Sequence, residues 1–323
     1  MRPVNSNIFG FLGRFTLLHV IVYTVMATIF LNIQRLLPVA KRTALDFFQP
    51  YQFDVTGIIT QIIIGAVMAL VLYPFYDIIV KKERGWLILL AALWGIALLG
   101  SLEPKPGSIE GMIYTETTLL EHFLVIATGA IQSVLFSWLF LHWERGSASA
   151  TEKGDSIIKD VPDIENSTSK NIRSYVGRYT LLHMIIYLIV GMVFYQVSGY
   201  EEALDTMEYF ELWRDMENMT MPFVVLLGQI VRGGILALLL YPFYNTYMEK
   251  RHGWLLLFGL LFGLKVLATV IVVPSTLLEF AQALGESMAG LPEILVQTLV
   301  FAWLFFFWEK RRAKKALKES VSS

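Results

Sequence analysis

Residues 72 to 86 read Leu72-Tyr73-Pro74-Phe75-Tyr76-Asp77, then Lys81-Lys82-Glu83-Arg84, then Gly85-Trp86, and residues 240 to 254 read Leu240-Tyr241-Pro242-Phe243-Tyr244-Asn245, then Lys250-Arg251-His252, then Gly253-Trp254. The second stretch repeats the first at an offset of 168. An apolar run precedes each LYPFY and another follows each GW. Each copy is therefore the end of one helix, a short charged turn and the start of the next.

Two more matches flank this one. Gly13-Arg14-Phe15-Thr16-Leu17-Leu18-His19 returns as Gly177-Arg178-Tyr179-Thr180-Leu181-Leu182-His183, at an offset of 164. Trp138 and Trp143-Glu144-Arg145 return as Trp303 and Trp308-Glu309-Lys310, at 165. Three matches at nearly constant offset mark an internal duplication, which has to be recognised before any single segment is read.

Composition says where such a duplicate lives. Apolar residues make up 55% of the 323 positions and charged residues 16%, against about a quarter charged in soluble domains. Mean hydropathy is +0.57, concentrated in runs near the roughly 20 residues that cross a bilayer core. The expected fold is an all-α integral membrane protein of eight transmembrane helices, arranged as two parallel four-helix repeats. Four spans per copy is an even number, so both copies enter from the same side. The first repeat covers 1–145, a polar linker 146–174, the second repeat 175–309 and a basic tail 310–323. The start at Met1 runs into a long apolar segment without a small-residue cleavage site, and reads as a first membrane helix.

Basic residues set the orientation. Nineteen fall on the side of the termini and linker and five on the other, which places both termini in the cytoplasm of a cell (plasma or inner) membrane. On the outer side, Leu204, Met207, Phe210, Trp213 and Met216 recur every three residues, as in an amphipathic helix on the membrane surface or a cap on the bundle. Gly129, Ser133 and Ser137 form a small-residue face for another helix, either between copies or between protomers of a homo-oligomer.

The polar residues inside the spans carry what functional signal there is. Arg232 and Lys265 sit near mid-span, where an ionised group costs about 2.5 to 3.5 kcal/mol or more unless water or a partner meets it. The first copy has Ile64 and Ala97 at these positions, so the copies share a scaffold and differ in chemistry. No carboxylate is expected at that depth; Glu121, Glu279 and Glu293 lie toward the outer ends. A water-filled cavity or a bound anion is then the expected partner of the cations, with Gln229 and Gln61 facing it. His19 and His183 repeat about five residues inside their helices, as proton relays or interhelical hydrogen bonds. Glu110 and Glu279 are expected at the outer mouth.

Several classes are excluded. A net charge of -1 argues against a nucleic-acid partner. The absence of cysteine removes thiolate metal sites and cysteine nucleophiles. Five scattered histidines make no metal motif, no cofactor is expected, and the nucleotide and hydrolase fingerprints are missing. These residues point to a transport or permeation protein for a small anion or anionic amphiphile, with its path at the repeat interface. The alternative is a membrane sensor or assembly subunit whose linker and tail bind a cytoplasmic partner or anionic lipid. A lipid-modifying enzyme ranks third, because its histidines and acids would lie on opposite sides; no catalytic residue is assigned.

Overall fold

Long runs of Leu, Ile, Val and Phe without interior proline become helices, because hydrocarbon leaves the backbone no partner but itself. In the computed structural model the described residues are 8–48, 55–102, 104–151, 168–197, 210–215, 218–267 and 277–322. Among them the chain is helical apart from turns and one isolated bridge, Thr115 to Trp213. The helices are α1 Ile8–Arg35, α2 Val55–Leu72, α3 Gly85–Leu99, α4 Ile109–Tyr114, α5 Leu119–Thr151, α6 Thr168–Val197, α7 Met221–Leu240, α8 Gly253–Lys265 and α9 Leu277–Ser322.

Among the described residues six segments are long and apolar enough to cross a membrane: Ile8–Arg35, Val55–Phe75, Leu119–Ser147, Ile172–Val197, Met221–Glu249 and Gly290–Lys315. The chain is a multi-pass membrane protein in a lipid bilayer. α3 and α8 are shorter, and each passes from α-helical into wider π turns, at Ala91–Leu99 and Gly259–Leu267. At ~1.5 Å per residue an α3 of this length reaches about 22 Å, less than the ~30 Å hydrocarbon core.

The proline signals work as local breaks. Tyr73–Phe75 and Tyr241–Phe243 tighten to 3₁₀ turns where Pro74 and Pro242 withdraw an N–H. The chain then turns at Gly85 and Gly253, where a Cβ would strike the carbonyl oxygens of Ile79 and Tyr247. α9 extends well ahead of its membrane-crossing stretch, Gly290–Lys315. The helix starts at Leu277 and carries Pro292 inside it, because Leu277, Leu278, Ala281, Ala283 and Leu284 are strong helix formers.

Matched residues make matched contacts in the two halves. Arg14 Nε and Nη2 donate to Glu144 at 2.6 and 3.0 Å, and the Tyr76 hydroxyl adds a bond of 3.2 Å. Arg178 Nε and Nη2 donate to Glu309 at 2.5 and 2.8 Å, and Tyr244 adds one of 2.9 Å. These bidentate clamps tie the first helix of each half to its last. Behind them Phe11 touches Tyr73, Tyr76 and Phe140 with ring centroids 5.4 to 5.6 Å apart. Tyr175 does the same with Tyr241, Tyr244 and Phe305 at 5.3 to 5.6 Å.

The halves meet along α2, α3, α7 and α8. Phe75 and Phe243 stand edge to face at 5.1 Å. A Cβ at Gly95 would run into Leu239, and one at Gly263 into Val71, the same contact taken from either side. Lipid chains are as apolar as these surfaces, so close van der Waals approach holds them together. The Gly129/Ser133/Ser137 face, expected between copies or protomers, is used inside the first half instead. A Cβ at Gly129 would meet Leu98 and Trp94 of α3, and Ser137 is fully buried.

Part of the outer stripe is described: Phe210 is buried and Trp213 packs on Tyr114 with ring centroids 5.3 Å apart, which fits a cap on the bundle. Leu204, Met207 and Met216 lie outside the described residues, as do 152–167 of the linker.

The seam makes a stability prediction. Gly263→Leu is expected to destabilise the chain by about 1 to 3 kcal/mol through overpacking. Gly13→Ala, which meets nothing within 4 Å, is expected to leave thermal unfolding in detergent unchanged or slightly raised.

Candidate functional site

Gln61 and Gln229 occupy the same place in the two copies. Each accepts a hydrogen bond from a histidine on the neighbouring helix: His19 Nε2 to Gln61 Oε1 at 3.1 Å, and His183 Nε2 to Gln229 Oε1 at 3.2 Å. Gly65 and Gly233 allow the approach, since a Cβ on either would lie 3.1 Å from the imidazole Cδ2. The duplicated element is thus a histidine–glutamine pair on a glycine.

In the second half the pair is extended. Arg232, one helical turn below Gln229, is 1% exposed. Its guanidinium forms an ion pair with Glu110, and its Nη1 donates to Gln229 Oε1 at 3.3 Å. Gln229 Nε2 donates to the Glu110 carboxylate at 3.0 and 3.3 Å. One amide thus serves the cation with its oxygen and the anion with its nitrogen. Arg232 Nη2 points at the carbonyls of Gly100 and Ser101, at 3.4 and 3.5 Å, just beyond the C-terminus of α3. Helix-end carbonyls lack partners and carry partial negative charge, which suits a cation.

Glu110 corrects the expectation that no carboxylate reaches this depth. It is 4% exposed and paired with Arg232. The physical reason is the loop between α3 and α5, which folds back into the bundle. Ser108 caps α4 by accepting from Gly111 N at 2.9 Å. Gly107, at φ 87°, donates its N–H to His122 Nδ1 at 3.0 Å. Gly228 leaves room for Ile113 against α7. The loop after α6 holds the other side: Arg214 N donates to Tyr114 O at 2.8 Å, Arg214 Nε to Thr115 O at 2.8 Å and Glu116 N to Leu212 O at 2.9 Å.

A cavity of about 30 Å³ lies beside the pair, lined by Tyr179, His183, Tyr187, Arg232, Lys265 and Gln297 among others. That is room for one or two water-sized bodies. Lys265 is 3% exposed, and Nε of Arg232 has no hydrogen-bond partner among the described residues. The Tyr114 hydroxyl bonds to that of Tyr187. Burial, then the nearby Glu110 carboxylate, push the Tyr114 phenol up from its ordinary value, so it stays protonated. The lining sets the hydroxyls of Tyr179 and Tyr187 beside the guanidinium of Arg232 and the amine of Lys265.

The structure brings Arg232, Gln229, His183 and Lys265 together and adds Glu110. His19 and Gln61 form their own pair in the first half and do not line the cavity. The Glu279 side chain lies outside the described residues. Glu121 is buried and structural: it completes a capping box with Thr118 and accepts the N–H groups of Ala44 and Leu45 at 2.8 and 3.3 Å. The tyrosines at 179 and 187 were missed. Tyr179 had a signal, since it stands where the first copy has Phe15. Among the described residues no group of three or more His, Asp or Glu is placed to hold a metal ion. No family model, curated protein or solved structure matches this chain.

Removing one partner of a buried pair strands the other. Glu110→Leu alone, or Arg232→Leu alone, is expected to cost about 3 to 5 kcal/mol. The double replacement Glu110→Leu with Arg232→Leu is expected to recover most of that. Thermal unfolding of the four proteins of this cycle in detergent checks the coupling.

Proposed function

We propose that the chain is a membrane transport or permeation protein for a small anion, built as two parallel four-helix repeats with both termini cytoplasmic. The observation that carries this reading is the cavity between Arg232 and Lys265, walled by hydroxyl and amide donors. A buried ion pair is weak support for stability, because well-packed apolar residues often replace one at no loss. Ionisable residues inside a membrane are by default functional. The first copy supports this by contrast, since it keeps the scaffold with Ile64 and Ala97 at the same places. An anion entering the cavity would take hydrogen bonds from Arg232 Nε, Lys265 and the tyrosine hydroxyls. The size of the cavity favours a small anion over an amphiphile.

Glu110 is the internal anion in this state, brought to Arg232 by the loop from the side assigned as outside. Exchange of the Glu110 carboxylate for the substrate at Arg232 gives the transport step a simple physical form: one negative charge replaces another, so the guanidinium is never left bare in hydrocarbon. The repeat reading is supported by the paired clamps and the reciprocal seam; the eight segments then comprise six long helices and two shorter ones.

The test is anion uptake into proteoliposomes by the native chain, by Lys265→Ala and by Arg232→Ile combined with Glu110→Leu, after folding has been checked. Losing a charge-assisted hydrogen bond of about 1.5 to 3 kcal/mol is expected to lower uptake about tenfold or more in both folded variants. Native-level uptake in both would overturn the reading. Absence of uptake by the folded native chain would turn attention to the sensor or assembly-subunit alternative.

A further inference from the structure

A second concavity, of about 590 Å³, opens on the side of the first half between the start of α3 and α5. Its wall carries Trp138, His142 and Arg145, which fall at i, i+4 and i+7 on α5 and so form one stripe. Trp138 and His142 stack with ring centroids 6.2 Å apart. Trp86 faces them from α3, and Leu141 contributes to the floor. Trp138 is 63% exposed and Trp86 42%, so neither is used up in holding the bundle.

The groove is graded along its length. One end is aromatic and aliphatic. The other carries Arg145, whose Nε and Nη2 donate to the carbonyls of Val80 and Lys82 at 2.9 and 2.6 Å, which fixes the guanidinium beside the turn Lys82-Glu83-Arg84, where bases outnumber the one acid. Lys81 is already paired with Asp77 at 2.7 Å. An amphiphile with a negative head and an apolar tail matches this gradient. The walls belong to membrane helices, so a lipid tail reaches the groove sideways through the bilayer, whereas a dissolved anion meets only its basic end.

We infer that this groove is a binding site for one anionic glycerophospholipid, with its phosphate against His142 and Arg145 and an acyl chain between Trp86 and Trp138. The second half does not repeat the site. Phe307 and Lys310 stand in place of His142 and Arg145, and the Lys310 ammonium lies 5.4 Å from the centroid of the Phe306 ring. The inference is independent of what passes through the cavity beside Arg232.

Native mass spectrometry of the full chain in detergent, offered phosphatidylglycerol or phosphatidylcholine, tests it. Arg145 also holds the turn, so His142→Glu and Trp138→Ala are the informative variants. Neither side chain is bonded to that turn. Phosphatidylglycerol is expected to be retained over phosphatidylcholine, and each variant to lose about fivefold in retention, the order of one charge contact at a membrane surface. Lys310→Gln, at the matched place in the second half, is expected to retain native levels. Equal retention of both lipids, unchanged retention in both folded variants, or displacement of the lipid by millimolar inorganic phosphate would each overturn the assignment.

Discussion

A guanidinium in the middle of an apolar helix has to be met by charge or by water, and the rest of this molecule is shaped by how Arg232 is met. The side chain is nearly inaccessible, so full ionisation in hydrocarbon is compensated from within the protein. Glu110 supplies the opposite charge, Gln229 bridges the two, and the carbonyls at the end of α3 take the remaining donors they can reach. To bring Glu110 that far in, the loop before α5 folds back into the bundle, and to hold that loop the chain after α6 lays Trp213 and Arg214 across it. A single buried charge thus accounts for the arrangement of two loops from different halves.

Around this asymmetry the two halves share matched contacts. Each half is closed by an arginine–glutamate clamp with a tyrosine on it, and each is filled by the same cluster of rings. Edge-to-face aromatic contacts contribute about 0.5 to 1.5 kcal/mol each beyond burial. Within that frame the second half has Tyr179, Arg232, Lys265 and Tyr247 where the first has Phe15, Ile64, Ala97 and Ile79. All four are buried. The two halves thus differ in their interiors, while glycines stand at matched places, 65 and 233, 95 and 263.

What the sequence made legible were the features with a period or a repeat. Apolar runs give the long helices, LYPFY and GW give the turn, and Arg232 and Lys265 stand out because nothing charged surrounds them along the chain. Proximity through space was less visible. Glu110 reads as a solvated acid among Pro104, Pro106 and Gly107, and nothing local says that the loop turns inward. The offsets held a clue, since they fall from 168 at the hairpin to 165 at the last helix, which leaves the first copy the longer chain between its third and fourth segments. Gln61 and Gln229 were each visible as polar groups, but their meaning came from the histidines opposite. The shortness of α3 was hidden because widened turns leave no mark on hydropathy.

The dependence of Arg232 on Glu110 also has an order in time. The loop that carries Glu110 precedes Gln229 by 119 residues, so at about 5 to 20 residues per second a ribosome needs roughly 6 to 24 seconds to make the rest of the centre. During that interval the carboxylate has none of its final partners, and a carboxylate on an exposed loop is well served by water. The pair with Arg232 can therefore close only after α7 has been made. The half made first thus carries a carboxylate whose cation comes from the second, and that charge pair joins the two as much as the chain between them does.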